Sequence, residues 1–359
     1  MDGFIEELSF PQRKSRREIR EARERLRRRK IRALIIKIVI ACMLLGFTFL
    51  GLLRLGLFPR FQEFIVTSAM TTLSHQYLAD IVASKEQIQN IMDNNKVVED
   101  YEDFDDSKIK DNDIISDDRV ELTDISRDGY TGYMLIITNP GRVFLGTPKA
   151  LGEYGSKIST LAKNHGAFAG INAGGFSDEN GKGRGGTPTG IIIQDGDIKY
   201  VDESIERFNI IGFNRDNVLV IGQYTLSQIK KLNLRDAVNF RPFLILNGKP
   251  TKMYGNGGWG TAPRTAIGQR EDGTVILVVI DGRQLHSAGA TMKQMQEIML
   301  EQGAVNAANL DGGSSSVMYF NDRIINSPSS PYGDRYLPSA FLINGEGLSD
   351  RDIINETSR

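Results

Sequence analysis

Residues 274–283 read TVILVVIDGR, a run of apolar and β-branched residues that closes on an aspartate. An uninterrupted apolar run of this length is typical of a strand buried on both faces of a sheet. After a loop, residues 291–302 (TMKQMQEIMLEQ) place apolar side chains at helical spacing, and Gly303 predicts the end of that helix. Residues 304–310 (AVNAANL) predict the next buried strand, which ends at Asp311. This succession predicts that the two strands are parallel neighbours in one sheet.

Parallel neighbouring strands would bring Asp281 and Asp311 to the same edge of the sheet, where ligands bind in such folds. A carboxylate that follows a buried strand must be paired or hydrogen-bonded. Either aspartate alone could be a turn cap before glycine, but two in matching positions favour a site. Arg283 and His286 lie in the loop after the first strand. His286 could donate a proton or could only orient that loop.

Two loops near these strands carry further candidates. In DGGSSS (311–316), the two glycines allow consecutive amides to face one point, which would bind an anion, and the serines add donors. The glycine-rich loop 255–263 carries Trp259, either as a platform or lid for a sugar or as a plug on the core. Arg264 follows this loop, and its guanidinium could bind a phosphate or a carboxylate through two N–H groups.

An earlier part of the chain also predicts two strands with a helix between them. Residues 133–138 (YMLIIT) and 167–172 (AFAGIN) predict strands, and 152–164 between them predicts a helix. Such a unit favours a parallel, right-handed crossover. It leaves Asn172 at a strand end, just before Gly174 and Gly175. The predicted fold class is therefore α/β to α+β, a mixed sheet with flanking helices.

The front of the chain differs sharply in composition. Residues 1–37 hold 13 Lys and Arg against 6 Asp and Glu, whereas the whole chain has a net charge of −1. The excess of basic over acidic residues is thus confined to one end, which excludes a generally basic nucleic-acid-binding protein. Residues 33–58 are apolar except for Lys37 and Arg54, long enough for a transmembrane helix. No small-residue cleavage site follows, so we expect an uncleaved anchor.

The positive-inside rule then predicts a basic cytoplasmic tail at 1–32 and an extracytoplasmic chain after about residue 59. Residues 59–92 predict a helical stalk, in which His75 is interpreted as structural. Residues 93–120 predict an acidic linker, since 93–121 hold 12 Asp and Glu against 4 Lys and Arg. The catalytic domain is predicted at 121–345 and a polar tail at 346–359.

Metal and disulfide chemistry find little support. The chain has one cysteine, Cys42, which excludes an intrachain disulfide and a cysteine-based zinc site. Its three histidines are scattered along the sequence. We therefore expect no metal and no cofactor.

Five motifs, in this order, resemble the phosphodiester glycosidase family, whose bacterial members are often labelled exopolysaccharide-biosynthesis proteins. The motifs are INAGGF (171–176), PTGIIIQDGDI (188–198), PRTAIG (263–268), LVVIDGR (277–283) and NLDGGSSSVMY (309–319). The resemblance covers about residues 120–345. It implies hydrolysis of a sugar-1-phosphodiester of the N-acetylglucosamine-1-phosphate type, which releases the sugar and leaves a phosphomonoester.

By motif match, the resemblance implies as site residues Asn172, Arg264, Asp281, Arg283, Asp311 and the Gly312–Ser314 turn, with Arg335 as a further match. The complete set of candidates combines these positions with those argued above from the residues themselves. Asp281 and Asp311, with His286, are the catalytic candidates, because cleavage of C1–O builds positive charge on the sugar that a carboxylate stabilises. The candidates for substrate and phosphate binding are Asn172, Gly174, Gly175, Trp259, Arg264, Arg283, Gly312, Gly313, Ser314 and Arg335. The family usually reads DGGGS, so Ser314 replaces a third glycine. If that glycine needs a positive φ, substrate fit here differs.

The expected function is that of a membrane-anchored, extracytoplasmic phosphodiester glycosidase acting on glycopolymers of a bacterial cell envelope. One alternative is a phosphodiesterase that cuts P–O with a metal held by Asp281 and Asp311. The sequence lacks the density of His and Asp that a two-metal site needs. Another alternative is a non-catalytic protein that binds envelope polysaccharide. The partners implied are a phosphodiester-linked glycan and the membrane, and not a nucleic acid.

Overall fold

The computed structural model describes residues 16–72, 75–110, 118–177, 184–330 and 333–357. The chain divides into two compact units, residues 1–59 and 60–359. The first unit contains helix α1 (Arg16–Arg54). Its part from Arg23 to Arg54 is long and apolar enough to cross a membrane, by length and composition alone.

The second unit contains six helices and twenty strands among the described residues. The helices are α2 (Pro59–Met70), α3 (Tyr77–Val82), α4 (Lys85–Asn94), α5 (Ile158–Asn164), α6 (Leu226–Ile229) and α7 (Met292–Glu301). The strands are β1 (Lys96–Val97), β2 (Val120–Asp124), β3 (Gly132–Ile137), β4 (Val143–Gly146), β5 (Ala167–Asn172), β6 (Ile191–Gln194), β7 (Asp197–Val201), β8 (Phe208–Asn214), β9 (Leu219–Tyr224), β10 (Leu234–Asn239), β11 (Phe243–Leu246), β12 (Lys249–Pro250), β13 (Met253–Tyr254), β14 (Arg264–Arg270), β15 (Val275–Ile280), β16 (Ala304–Asn309), β17 (Met318–Phe320), β18 (Arg323–Ile324), β19 (Ala340–Asn344) and β20 (Ile353–Asn355).

These strands form three main sheets. The first sheet has the order β12-β11-β16-β14-β15-β3-β2-β20, the second β18-β17-β5-β19-β4 and the third β7-β6-β10-β8-β9. Strands β2 and β20 pair in parallel, and the other pairs among the described residues are antiparallel. Buried side chains from all three sheets meet in one hydrophobic core. The mixed α+β fold with flanking helices is thus confirmed.

The buried run at 275–280 is strand β15, and all six of its residues are buried. The prediction that it neighbours the strand at 304–309 is wrong. Strand β14 lies between β15 and β16 and pairs antiparallel with both. The two outer strands therefore still run in the same direction. Their carboxyl ends remain at one edge of the first sheet.

The predicted parallel crossover between residues 133–138 and 167–172 is also wrong. Both segments are strands, β3 and β5, but they belong to different sheets. Strand β5 pairs antiparallel with β17 and β19, which lie far along the chain. The helix between them is shorter than predicted and begins at Ile158. Gly152 has φ +98°, and Ser156 pairs with Leu337, so neither residue can belong to a helix.

Helix α7 follows the predicted pattern closely. Thr291 caps its start, because its hydroxyl accepts from the Gln294 amide while the Gln294 side chain accepts from the Thr291 amide. Met292, Met295, Ile298 and Met299 are buried against the first sheet. The methionine stripe is core packing, as predicted, and it holds β15 and β16 in place.

Residues 59–97 pack against the body of the second unit. Strand β1 pairs with β13, and the Asn256 amide donates to Asn95 Oδ1 at 2.8 Å. Farther along, the rings of Tyr101 and Phe243 lie 4.5 Å apart. Residues 111–117 of the predicted acidic linker lie outside the described residues. In the predicted polar tail, residues 353–355 form β20 at the edge of the first sheet.

Candidate functional site

The candidate site lies at the edge of the first sheet where β14 begins and β15 and β16 end. Arg264, the first residue of β14, pairs with Ile280, the last residue of β15. On its other side, the Leu310 amide donates to Thr265 O at 2.8 Å. The antiparallel central strand therefore places Arg264 between the two aspartate-bearing strand ends.

The segment 311–317 carries the chain from the first sheet to the second. The Asp311 amide donates to Ala173 O at 3.0 Å, and the Gly313 amide donates to Pro263 O at 2.9 Å. A Cβ on Gly312 would lie 2.9 Å from that same carbonyl oxygen, so glycine permits the close approach. Among the described residues, the amides of Gly312 and Ser314 have no protein acceptor. The turn therefore offers two amides to a ligand.

Gly313 has φ +62°, which favours glycine, whereas Ser314 is not among the residues with positive φ. The serine in place of the family's third glycine therefore causes no backbone strain. Its hydroxyl accepts from Arg335 Nη1 at 3.0 Å. The Arg335 guanidinium also lies 5.3 Å from the centroid of the Phe176 ring. Arg335 thus adjoins the turn.

Asn172 lies beneath this turn and is fully buried. Its Nδ2 donates to Asp311 O at 2.6 Å, and its Oδ1 accepts from Thr265 Oγ1 at 2.9 Å and from the Val317 amide at 3.0 Å. One side chain thereby joins the end of β5, the start of β14 and both ends of the turn. In this structure Asn172 positions the site and does not reach its surface.

A cavity of about 340 Å³ opens above the turn. The cavity brings together five of the predicted residues and the glycine turn with several residues that we did not predict. Its lining residues are Thr71, Thr72, His75, Phe176, Phe240, Trp259, Ala262, Arg264, Arg283, Asn309 and Asp311–Ser315.

Arg264 supplies a buried positive charge to this cavity. It is 4% exposed, its Nε donates to Ala290 O at 3.0 Å, and its Nη2 donates to Trp259 O and Gly260 O, each at 2.6 Å. Among the described residues it forms no ion pair. Burial, followed by repulsion from Arg283, lowers the pKa of Arg264 to about 9. Because a guanidinium keeps its proton at neutral pH, this environment leaves an uncompensated charge.

Arg283 is the second guanidinium of the cavity. Its φ of +59° is uncommon for arginine, and such conformations concentrate at functional sites. Its side chain reaches the surface, yet desolvation by the surrounding protein still lowers its pKa. Gly313 lies close to it, since a Cβ there would be 3.3 Å from Arg283 Nη1. Two cationic groups with no ion pair among the described residues favour an anionic ligand.

Asp281 and His286 are not among the residues that line the cavity. The Asp281 side chain is buried, and its carboxylate accepts from the Ser327 amide at 2.9 and 3.0 Å and from Asn326 Nδ2 at 2.9 Å. Burial raises the pKa of Asp281, and these two donors and the charge of His286 oppose the rise. His286 itself is exposed. The two aspartates thus share a sheet edge, but Asp311 alone of the pair lines this cavity.

The remaining predicted residues lie around the cavity. Gly174 and Gly175 are buried, and the Gly174 amide donates to Ser339 Oγ at 3.1 Å. They do not line the cavity, but they lead directly into Phe176, which does. Trp259 lines the cavity and also packs on the hydrophobic core.

Residues 165–344, half of the chain, match the family model for phosphodiester glycosidase. This chain belongs to the phosphodiester glycosidase family.

Two curated proteins are similar to parts of this chain. The SPbeta prophage-derived uncharacterized protein YomE of Bacillus subtilis is 29% identical over 182 residues, which cover 48% of this chain and 27% of that protein. The human N-acetylglucosamine-1-phosphodiester α-N-acetylglucosaminidase is 41% identical over 66 residues, 18% of this chain and 13% of that protein. The matches therefore span less than a third of the length of either relative.

A solved structure shows the same fold. The zebrafish N-acetylglucosamine-1-phosphodiester α-N-acetylglucosaminidase catalytic domain, auto-inhibited by its pro-peptide, has a TM-score of 0.51 and 21% identity. The superposition covers 62% of this chain and 81% of that domain. At this identity the likeness concerns the fold alone.

Four groups of this phosphodiester glycosidase's cavity were missed from the sequence. Thr71, Thr72 and His75 belong to the predicted stalk, where nothing in the local pattern distinguishes a site residue. Phe176 is the last residue of the motif 171–176, so its place in that motif was an available signal. Asn309 ends β16 and begins the motif 309–319, whereas Phe240 follows β10 and belongs to none of the five motifs. Asn309 Oδ1 is buried and has no donor among the described residues.

A metal site is not evident in the part of the chain that the structure describes. No three His, Cys, Asp or Glu side chains there are grouped so that they could hold a metal ion. Asp281 is committed to Ser327 and Asn326, and it does not share the cavity with Asp311. The arrangement is suited instead to holding an anion through Arg264, Arg283 and the turn.

Proposed function

We propose that this chain hydrolyses a sugar-1-phosphodiester at the C1–O bond. The observation that carries the proposal is the pair Arg264 and Arg283, which forms no ion pair among the described residues and lines the same cavity as the Asp311 carboxylate. An anion at the two guanidiniums neutralises charge that the protein itself leaves uncompensated. A carboxylate in the same cavity is the group that glycoside cleavage requires.

The phosphate of the substrate binds to the two arginines and to the free amides of Gly312 and Ser314. Charge develops on the departing phosphate as the C1–O bond breaks, so donors already in place stabilise the transition state. Arg335 steadies the turn through the Ser314 hydroxyl. Asn172 holds the backbone on both sides of that turn. We assign these two residues to positioning.

Asp311 acts at the sugar. The C1–O bond breaks, its electron pair stays with the phosphate oxygen, and positive charge grows on C1 and the ring oxygen. The carboxylate stabilises that charge, and it either takes the proton of the attacking water or bonds to C1 first. Water supplies the new anomeric hydroxyl in both cases. The products are the free sugar and a phosphomonoester.

Asp281 and His286 are proposed to support this chemistry from outside the cavity. Asp281 anchors the loop of Arg283, because its carbonyl oxygen accepts from Ser287 Oγ at 2.6 Å and its carboxylate holds residues 326–327. His286 lies in the same loop, and its electrostatic interaction with Asp281 favours the ionised form of that carboxylate. The competing version of this proposal is that Asp281 or His286 itself transfers a proton during the reaction.

The substrate class and the location are extensions of the same proposal. The names of the human and zebrafish relatives point to N-acetylglucosamine-1-phosphodiesters. Helix α1 could anchor the enzyme, and its basic residues precede the apolar part, which favours an extracytoplasmic second unit. An anchored enzyme outside a bacterial membrane would meet sugar-phosphate glycopolymers of the cell envelope. Protease added to intact spheroplasts should then degrade residues 60–359, and full protection would contradict this topology.

Hydrolysis in ¹⁸O-labelled water tests the reaction itself. The full chain in detergent is incubated with diesters of N-acetylglucosamine-1-phosphate, and the products are identified by mass spectrometry. Label on the anomeric hydroxyl is expected. Label on the phosphate would mean P–O cleavage and a phosphodiesterase. Binding of the diesters without any product would favour a non-catalytic glycan-binding protein.

A further inference from the structure

The wall of the cavity includes residues from well before the family domain. Thr71, Thr72 and His75 line the cavity, whereas the family match begins at residue 165. The three residues lie between α2 and α3, in the segment that sequence reasoning interpreted as a stalk. This part of the cavity wall therefore comes from a front segment, residues 60–97, that lies outside the region matched to the family.

Helix α2 is fastened to the loop that carries Trp259. Asn256 Nδ2 donates to Thr67 Oγ1 at 3.0 Å, and the Thr261 amide donates to Ser68 Oγ at 3.2 Å. Thr71 Oγ1 lies 3.4 Å from Trp259 O. Thr67 is fully buried, as expected for a packed interface. Three polar contacts, from Thr67, Ser68 and Thr71, thus hold the front segment against the site.

A glycine makes this approach possible. Gly260 has φ +58°, and a Cβ there would lie 2.5 Å from Ser68 Cα, closer than any real contact. Its carbonyl oxygen accepts from Arg264 Nη2, which also binds Trp259 O. One continuous set of contacts therefore joins three parts of the molecule. They are the front segment, the loop 255–263 that carries Trp259 (the tryptophan loop), and Arg264, which is proposed to bind the phosphate.

We propose that Thr71, Thr72 and His75 select the alcohol component of the phosphodiester. The inference rests on the proposed function. The family region supplies the groups around the sugar, the phosphate and the bond that breaks, which all substrates of that reaction share. The alcohol esterified to the phosphate is the component that varies. The hydroxyls of Thr71 and Thr72 donate to backbone carbonyls of residues 67–69, so they offer acceptor oxygens to a ligand, and His75 adds an imidazole. Such groups are suited to a hydroxyl-bearing alcohol, such as another sugar, and not to an alkyl chain.

The test compares two diesters of N-acetylglucosamine-1-phosphate, one with methanol and one with a hexose hydroxyl. For His75→Ala in the full chain, kcat/KM for the hexose diester should fall about tenfold, mostly through KM, as expected for one lost hydrogen bond. The methyl diester should be affected less than about threefold. His75→Gln should recover part of the loss. Gln76→Ala is the matched control, because Gln76 is exposed, adjacent and outside the cavity lining.

Binding separates this inference from the proposed function. Trp259 is the only tryptophan of the chain, so its fluorescence reports occupancy of the cavity whether or not cleavage occurs. If neither diester is cleaved, the proposed function fails. A tenfold change in the ratio of the two Kd values for His75→Ala would still support the inference that this part of the cavity wall selects the alcohol. Equal losses for both diesters, no loss for either, or no preference for the hexose diester in the unaltered protein would overturn the inference.

Discussion

Replacing Asn172 with alanine should lower the unfolding free energy of the second unit by more than the loss of one hydrogen bond would. Asn172 is fully buried and makes three hydrogen bonds, to Asp311 O, Thr265 Oγ1 and the Val317 amide. Each bond contributes about 1 kcal/mol net, so the variant should lose about 3 kcal/mol of unfolding free energy. At roughly 2–4 °C per kcal/mol, the Tm should fall by about 6–12 °C.

Asn306 provides the matched control for this comparison. It is also fully buried, but its Oδ1 accepts a single bond, from the Asn247 amide at 2.9 Å, and its Nδ2 has no partner among the described residues. Asn306→Ala should therefore lose only about 1 kcal/mol. Thermal unfolding of the full chain in detergent, followed by Trp259 fluorescence, measures both variants. Tm values within about 2 °C of each other would refute the claim that Asn172 fastens the turn.

Three further substitutions separate the roles proposed for the site. Asp311→Asn should lower kcat by about 10²-fold or more with little change in Tm, because the carboxylate assists the reaction; near-normal turnover would remove Asp311 from the mechanism. Arg264→Lys should weaken inorganic phosphate binding about tenfold in a Trp259 titration, since an ammonium cannot keep the bonds to the Ala290, Trp259 and Gly260 carbonyls and also donate to the anion; unchanged affinity would place the anion elsewhere. Burial raises the pKa of Asp281 above its usual value of 3.8, so the folded state binds more protons in the window just above that pH, and the stability that this residue contributes falls as the pH rises through it. The Tm of the unaltered protein minus that of Asp281→Asn should therefore decrease between about pH 4 and pH 7, and a constant difference would contradict the raised pKa.

Individual elements of this fold were predictable from local pattern. The run at 275–280 is apolar on both faces and is buried on both faces, and the capping box at Thr291 marks the start of α7. Such signals depend on residues within one turn or one strand. They predicted where strands and helices occur, and they correctly placed Asp281 and Asp311 at one sheet edge.

The order of strands was not predictable in this way. Strand β14 separates β15 from β16, and β5 leaves the first sheet for the second, because pairing partners are chosen by burial across distant parts of the chain. The positions of the site residues were likewise only partly predictable from local sequence. Asn172 was correctly singled out at a strand end, but its burial depends on Thr265 and Val317. His75 reaches the cavity only because α2 packs on a loop nearly two hundred residues away.

If α1 anchors this protein in a membrane as proposed, the contact between α2 and the loop that carries Trp259 determines which cut would release an intact site. A protease that cut at residues 55–58, between α1 and α2, would free a fragment that keeps Thr71, Thr72 and His75 covalently attached to the rest of the site. A cut at residues 98–110, after β1, would leave those three residues joined to the family domain only through non-covalent contacts such as the β1–β13 pairing. Shedding at the first position would yield a soluble enzyme of unchanged selectivity, whereas nicking at the second would make selectivity depend on whether the two pieces stay together.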